Sequence, residues 1–226
     1  MKRRLLIICL CSALFLGFFE FYLFYLEANE LPFGVYFSSI LQAAFGGASD
    51  KLIRINLATK GITLYESGQL IESGKIAAAG HPRATPTPTG NFTISLKDID
   101  HISGLSGLVM PYSLRFFGSY YLHGLPTTRA GKIVDTPYSN GCVRLPAGMD
   151  EEVFNWADIG TKVQIYNSRL VRAENNPTVY YLADDGTKEG IPTPEAFVGR
   201  GYKWKDIAIV PSQELELMPT VLLSQP

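Results

Sequence analysis

The chain has 226 residues, of which 46% are hydrophobic and 12% aromatic. This length and composition exclude extensive disorder and leave room for one well-buried domain with an anchor and a small appendage. With 20 basic against 21 acidic residues and no interleaved basic and aromatic patch, the sequence also argues against a nucleic-acid partner.

The N-terminal 26 residues are the most apolar part of the chain. A basic cluster at residues 2–4 precedes a 22-residue segment, Leu5–Leu26, in which Glu20 is the only charge. About 20 apolar residues suffice to cross a bilayer, and a basic cluster of this kind stays in the cytoplasm. Residues 1–26 therefore predict a single-pass plasma-membrane anchor, with the rest of the chain on the outer face. A cleaved signal peptide is the alternative, but no small-x-small cleavage site is well placed.

A stalk is expected over residues 27–50 and a mainly β domain over residues 51–168. Its strands are predicted by alternating apolar residues and a helix by apolar residues at helical spacing. The strand signals lie at Ile53–Leu57, Ile62–Leu64, Leu70–Ala79, Phe92–Leu96, Tyr112–Phe117, Tyr120–His123 and Val163–Ile165, and the helix signal at Asp150–Ala157. Residues 98–107, rich in Gly, Ser and Asp, and residues 126–138 are expected to be loops.

The C-terminal part has its own pattern. Residues 172–177 are interpreted as a linker, and residues 178–211 as a small β-rich accessory module with strand signals at both ends and a helical turn at Pro194–Val198. Because a module of this length is too small for an independent core, we expect it to pack on the main domain or on a partner. Residues 212–226 are expected to form a tail.

Cys142 is the only cysteine outside the apolar N-terminal segment, which holds Cys9 and Cys11. A lone cysteine in an oxidising compartment is either buried and inert or retained for its reactivity. Its surroundings read Ser-Asn-Gly-Cys-Val-Arg, and His123 precedes it by 19 residues. Only the thiolate is a useful nucleophile, so an imidazole that takes the thiol proton and returns it to a leaving amine would make Cys142 and His123 a catalytic pair.

The residues next to Cys142 fit that interpretation. Gly141 allows a sharp turn, which would let the amides of Asn140, Gly141 and Cys142 converge on an oxyanion. Arg144 lies on the same side of an extended strand as Cys142, where it could bind a substrate carboxylate or stabilise the thiolate. Taken singly, each has a plainer explanation: a buried thiol, a strand-end histidine, a turn serine at Ser139, a surface arginine or a turn glycine.

The combined motif, His-Gly followed by Ser-x-Gly-Cys-x-Arg, resembles the signature of the bacterial L,D-transpeptidase catalytic domain. Three further segments resemble that family in the same order, namely Thr87–Phe92, Pro111–Gly124 and Gly160–Val163. The resemblance covers about residues 51–166. Any one of the segments alone is a weak match, but their order along the chain is specific.

The resemblance implies a β-sandwich-like domain with one or two short helices and no cofactor or metal. It implies that Cys142, assisted by His123, takes an acyl group from a peptidoglycan stem peptide and passes it to an amine. Many relatives have His where this chain has Asn140, which could alter the choice of acceptor. Others have Ser where this chain has Gly124, so a backbone carbonyl is expected to orient His123, and Ser139 is expected to have a supporting role.

Several alternatives are set against this interpretation. A sortase is also an anchored cysteine transpeptidase, but its His and Cys lie much farther apart. An L,D-carboxypeptidase would hydrolyse the same acyl-enzyme, and sequence alone does not separate hydrolysis from transfer. A non-catalytic wall-binding protein would not need a thiol beside a histidine. A zinc site is disfavoured because His81, His101 and His123 are widely spaced, and the first two are interpreted as loop residues.

Overall fold

The computed structural model describes residues 49–221, which belong to one compact unit. The predicted mainly β fold is confirmed, since three sheets and a few short helices account for the regular structure of this part of the chain. The proposed anchor at residues 1–26, nearly all of the stalk and residues 222–226 lie outside the described residues. Within residues 49–221, no helix is long and apolar enough to cross a membrane.

The first sheet is built around two strands from opposite ends of the main domain. It contains β1 (Lys51–Asn56), β2 (Gly61–Glu66), β3 (Gln69–Lys75), β4 (Gly90–Thr93) and β9 (Lys162–Tyr166), in the order β3-β2-β1-β9-β4. Strands β1 and β9 pair in parallel, with Ile53 opposite Val163 and Ile55 opposite Ile165. All four side chains are buried, as the alternating apolar pattern predicts.

In the second sheet, two consecutive predicted strands, Tyr112–Phe117 and Tyr120–His123, pair as a hairpin. The sheet contains β5 (Leu96–Ile102), β6 (Val109–Phe117), β7 (Tyr120–His123) and β8 (Val143–Arg144), in that order. Leu114, Leu122 and Val143 from this sheet share one core cluster with Ile53 and Ile165 from the first. Because both sheets bury a face in the same core, the main domain is sandwich-like.

The predicted helix is α1 (Met149–Trp156), which packs on β6. Val153 is completely buried, and three acidic residues occupy the first turn, where the helix dipole favours negative charge. The predicted loop over residues 98–107 is wrong in its first half, because residues 98–102 belong to β5. Strand β5 lies at the edge of its sheet, and an edge strand accommodates polar residues such as Asp98 and Asp100.

The third sheet belongs to the C-terminal body. It contains β10 (Leu170–Ala173), β11 (Val179–Leu182), β12 (Lys188–Gly190), β13 (Ala208–Val210) and β14 (Thr220–Val221), in the order β13-β10-β11-β12-β14. Helix α2 (Pro194–Gly199), a 3-10 turn (Trp204–Asp206) and helix α3 (Ser212–Glu216) connect these strands. The predicted helical turn and both predicted strand regions of the module are present.

Two boundaries of the C-terminal body differ from the prediction. Residues 172 and 173, assigned to a linker, belong to β10, because Val171 and Ala173 fill the core of the third sheet. The described part of the expected tail is structured as well. Helix α3 buries Leu215 in that core, and β14 pairs with β12.

A buried ion pair joins the C-terminal body to the main domain. Arg54 on β1 is 3% exposed, and its Nη1 lies 3.2 Å from Oε2 of Glu214 on α3. The Glu214 carboxylate also accepts hydrogen bonds from the hydroxyls of Tyr65 and Tyr166. Burial and the nearby Glu214 charge raise the pKa of both tyrosines, which therefore remain hydroxyl donors. The module thus packs on the main domain, which is one of the two arrangements expected for it.

Candidate active site

The pairing of β7 with β8 decides which side chains meet. The two strands are parallel, with Leu122 opposite Val143 and His123 opposite Arg144. Leu122 and Val143 are completely buried in the core. Side chains alternate between the two faces of a strand, so His123 and Arg144 lie on the face away from this core. Cys142, which directly precedes Val143, lies on the same face as His123.

These side chains line one cavity of about 710 Å³. Cys142, His123, Arg144, Ser139 and Asn140 all contribute to its wall. The other walls come from β5 to β7 and from the loop at residues 103–108. A cavity of this size accommodates an extended peptide segment of a few residues. The long segment between the predicted histidine and cysteine therefore folds back and brings them into one site.

His123 is held as a neutral base. The side chain is 2% exposed, and its Nδ1 lies 2.6 Å from the carbonyl oxygen of Gly124. A carbonyl only accepts, so Nδ1 carries the proton and Nε2 keeps a free lone pair. Burial lowers the pKa of His123 to about 4, an effect that the Gly124 carbonyl opposes and the Arg144 charge reinforces. Gly124 supplies the backbone acceptor that the sequence predicts.

Gly124 is also fixed by the space around it. A Cβ at this position would lie 2.1 Å from Oδ2 of Asp150 and 3.0 Å from Cγ of Pro111. Asp150 is itself held in place, because its Oδ1 accepts from the amide of Gly148. A side chain at position 124 would displace these neighbours and the carbonyl that orients His123.

Cys142 is partly exposed in the cavity, and its thiol donates to the carbonyl oxygen of Ser119 at 3.9 Å. Among the described residues, no hydrogen bond joins Cys142 directly to His123. Burial raises the pKa of the Cys142 thiol, while the backbone N–H of Tyr121 and the charge of Arg144 lower it. The pair therefore rests as a neutral thiol and a neutral imidazole.

The turn before Cys142 depends on Gly141. This residue has φ +110, and a Cβ there would lie 2.3 Å from Cε1 of Tyr120, so only glycine fits. The amide of Gly141 donates to Oγ of Ser139 at 3.0 Å, and that hydroxyl donates to the carbonyl oxygen of Cys142. Ser139 thus closes the turn that presents the thiol.

This bond changes the predicted oxyanion site. The sequence suggests the amides of Asn140, Gly141 and Cys142 as donors, but the amide of Gly141 is already used by Ser139. Within residues 49–221, the amides of Asn140 and Cys142 have no protein acceptor. Two donors from this turn are therefore available to an oxyanion, which is enough to contribute several kcal/mol to a transition state.

Arg144 is anchored beside the thiol. It is 7% exposed, and its Nη1 donates to the carbonyl oxygen of Thr136 at 3.0 Å and to its hydroxyl at 2.8 Å. Burial lowers the pKa of the guanidinium, which stays charged at neutral pH because arginine titrates far above it. Its charge favours the thiolate of Cys142.

A second loop supports the turn before Cys142 from behind. Thr85 donates its hydroxyl to the carbonyl oxygen of Ser139, and Oγ1 of Thr87 accepts from the amide of Gly80, both at 2.9 Å. A Cβ at Gly80 would lie 2.8 Å from Cα of Gly141, so the two glycines let the loops approach closely. The Thr-Pro segment recognised in the sequence is therefore a structural support for the nucleophile.

Sequence reasoning missed several residues of the site. His101, interpreted as a loop residue, lies on β5 and lines the cavity, where its ring stacks on Tyr121. Tyr121, which lines the cavity, and Thr136, which accepts from Arg144, also belong to the site. The alternation along Tyr120–His123 places Tyr121 on the His123 face and could have identified it, whereas nothing in the local sequence indicates the contact between Thr136 and Arg144.

Comparison with known proteins identifies the main domain. The family model of the YkuD L,D-transpeptidase catalytic domain matches residues 50–165. No curated protein matches the chain significantly. Among solved structures, similar ones include L,D-transpeptidases from Stackebrandtia nassauensis (24% identity, 54% of this chain and 57% of that one, TM-score 0.46), Mycobacterium tuberculosis (21%, 53% and 58%, 0.43) and Enterococcus faecium (23%, 52% and 50%, 0.43).

The chain covers little more than half the length of the first two of these proteins and half of the third. The family match spans more than half of this chain and contains His123, Gly141, Cys142 and Arg144. We conclude that the chain belongs to the YkuD family of L,D-transpeptidase catalytic domains.

Proposed function

We propose that this protein is an L,D-transpeptidase that acts on peptidoglycan stem peptides through an acyl-enzyme on Cys142. The acyl group would pass to an amine, either forming a cross-link or attaching another acceptor during cell-wall biogenesis. The observation that carries the proposal is the buried, neutral His123, whose Nδ1 is fixed by the Gly124 carbonyl and which shares one cavity with the thiol of Cys142.

The acylation step follows from the resting state of the pair. As Sγ of Cys142 attacks the carbonyl carbon after the L-centre of the third residue, its proton passes to Nε2 of His123. The carbonyl oxygen becomes an oxyanion that the amides of Asn140 and Cys142 can bind. The C–N bond then breaks, and the imidazolium returns the proton to the departing D-alanine amine. The thiol first turns from the Ser119 carbonyl towards His123, and catalytic contacts of this kind are often long before substrate binds.

The contacts of Arg144 favour one of its two predicted roles. Its Nη1 is already engaged by both oxygens of Thr136, and its charge acts on the Cys142 thiol. We therefore assign Arg144 to stabilisation of the thiolate.

The proposed location follows from the substrate. Peptidoglycan lies outside the plasma membrane, and the sequence of residues 1–26 is typical of a single-pass anchor with a cytoplasmic N-terminus. We propose that the catalytic domain faces the wall from that anchor. Membranes washed at high salt should retain the full-length protein, and its release would contradict the anchor.

The decisive experiment incubates the full-length protein with a muropeptide that carries a tetrapeptide stem and follows intact mass and released D-alanine. The wild type should gain the mass of the tripeptide acyl group, and Cys142→Ala should lose both signals. His123→Ala should slow acylation by about 100-fold or more. A Cys9→Ser/Cys11→Ser variant is the matched control and should behave as wild type.

Two results separate the alternatives. A cross-linked dimer indicates transfer, whereas free tripeptide indicates an L,D-carboxypeptidase that hydrolyses the same acyl-enzyme. D-alanine release by Cys142→Ala would rule out Cys142 as the nucleophile, and no D-alanine release by the wild type would leave a wall-binding protein as the better description.

A further inference from the structure

A second histidine lies in the active-site cavity and takes no part in the acylation described above. Nδ1 of His101 lies 3.0 Å from Oδ2 of Asp98, and its ring stacks on that of Tyr121 with centroids 4.5 Å apart at 26°. A carboxylate only accepts, so in the neutral ring Nδ1 carries the proton and Nε2 keeps its lone pair. An imidazole with one nitrogen held by a carboxylate and the other free has the arrangement of a general base, here His101 held by Asp98.

His101 lines the same cavity as both members of the catalytic pair, and its charge acts on one of them. The backbone N–H of Tyr121, whose ring supports His101, lowers the pKa of the Cys142 thiol. The charge that His101 carries when protonated lowers the pKa of His123. All four residues line the same cavity. His101 therefore stands within electrostatic reach of the reacting atoms.

Transfer to an amine requires the removal of a proton from the acceptor, a step that acylation does not include. A lysine-type amine has a pKa of about 10.4 and arrives as an ammonium ion, which has no lone pair for attack. It must lose one proton before the C–N bond forms and a second one afterwards. His123 is a single base and can accept only one of these.

We propose that His101, oriented by Asp98, is the general base that removes the first proton from the incoming acceptor ammonium; this rests on the proposed function. Nε2 of His101 takes that proton, and the amine lone pair attacks the thioester carbon to give a tetrahedral oxyanion. Nε2 of His123 takes the second proton. The oxyanion collapses, the C–S bond breaks, and the thiolate of Cys142 recovers a proton from His123, while His101 releases its own to water.

The test separates acylation from transfer in the full-length protein. The enzyme is acylated in a single turnover with the tetrapeptide donor, and the acyl-enzyme is then chased with Nα-acetyl-lysinamide or with glycinamide. His101→Phe keeps an aromatic ring on Tyr121 but cannot accept a proton. It should slow transfer to the lysine amine by about 100-fold and D-alanine release by no more than a few-fold.

The acceptor series distinguishes a base from a packing residue. The α-amine of glycinamide has a pKa of about 8, so about a tenth is already neutral at pH 7, and the defect of His101→Phe should shrink to a few-fold. Asp98→Asn should reproduce a weaker form of the defect, whereas Asp100→Asn, an exposed carboxylate on the same strand, should not.

An equal defect with both acceptors, or D-alanine release slowed as much as transfer in His101→Phe, would overturn the inference while leaving the Cys142 acyl-enzyme intact. A wild type that hydrolyses the acyl-enzyme and never transfers it would do the same. Absence of an acyl-enzyme in the wild type would instead overturn the proposed function itself.

Discussion

The hydroxyl of Ser139 bridges the amide of Gly141 and the carbonyl of Cys142, so one side chain fixes the backbone on both sides of the Gly-Cys peptide bond. The contact is buried, since Ser139 is 6% exposed. Its consequence is that the serine positions the nucleophile without touching the reacting atoms.

Replacing Ser139 should therefore affect catalysis more than folding. Ser139→Ala leaves a buried donor and acceptor unpaired, at a cost of about 1–3 kcal/mol in the free energy of unfolding. Displacement of the thiol should slow acylation by about 10- to 100-fold. Ser113→Ala is the matched control, because Ser113 is a fully buried serine that donates to the Met110 carbonyl on β6. Urea unfolding and D-alanine release should show similar stability losses but a catalytic defect in Ser139→Ala only.

Gly141→Ala should slow acylation more than the same substitution at another glycine with a positive φ. The new Cβ would be forced into the ring of Tyr120 while the backbone is held at a positive φ. Acylation should fall by about 100-fold or more as the turn shifts. Gly131→Ala provides the comparison, because Gly131 also has a positive φ but no atom near its Cβ position, and should cost only about 1–2 kcal/mol of stability. Equal acylation rates in the two variants would contradict the role assigned to Tyr120.

The buried neutral state of His123 predicts a specific pH dependence of stability. The pKa is about 4 in the folded protein and about 6.5 in the unfolded chain. The unfolded state therefore binds the proton first as the pH falls, so stability that is present above pH 6.5 is lost between pH 6.5 and 4. From pH 7 to pH 5 the loss attributable to His123 should be about 2 kcal/mol. Urea unfolding at the two pH values should show this loss in the wild type and not in His123→Gln.

The ion pair between Arg54 and Glu214 should hold the C-terminal body in place. Glu214→Ala leaves Arg54 buried without its partner, which should reduce the free energy of unfolding by about 3–5 kcal/mol. Glu216→Ala, on the exposed side of the same helix, should have almost no effect. An Arg54→Met/Glu214→Leu double variant should recover the part of the loss that comes from the unpaired charge, because it buries no charge. If Glu214→Ala proved as stable as Glu216→Ala, the pair would have no stabilising role.

Arg54 also shows where sequence reasoning stops. The alternation of Ile53, Arg54 and Ile55 identifies a strand and assigns its apolar face correctly. The same pattern predicts that Arg54 faces water, but the C-terminal body covers it. The covering residue is Glu214, 160 positions away in the chain, and no local pattern reports such a contact.

The active site likewise contains residues that the sequence identifies and contacts that it does not. Cys142 and His123 could be identified because a thiol and an imidazole within a recognisable motif indicate nucleophilic catalysis. The engagement of the Gly141 amide by Ser139 depends on how one turn closes, and the contact of His101 with Tyr121 depends on β5 and β7 sharing a sheet face. Both follow from three-dimensional placement, which residue types and spacing do not specify.

The parallel pairing of β1 with β9 has a consequence for the order in which activity arises. The first strand of the catalytic domain hydrogen-bonds to the last, and both contribute to the core beneath Cys142. A growing chain that contains Cys142 but does not yet extend to Tyr166 lacks a complete β9, the strand that pairs with β1. Cys142 is thus synthesised before the first sheet, which supports the core beneath it, is complete. A competent acyl-transfer site can form only after the whole domain has been synthesised.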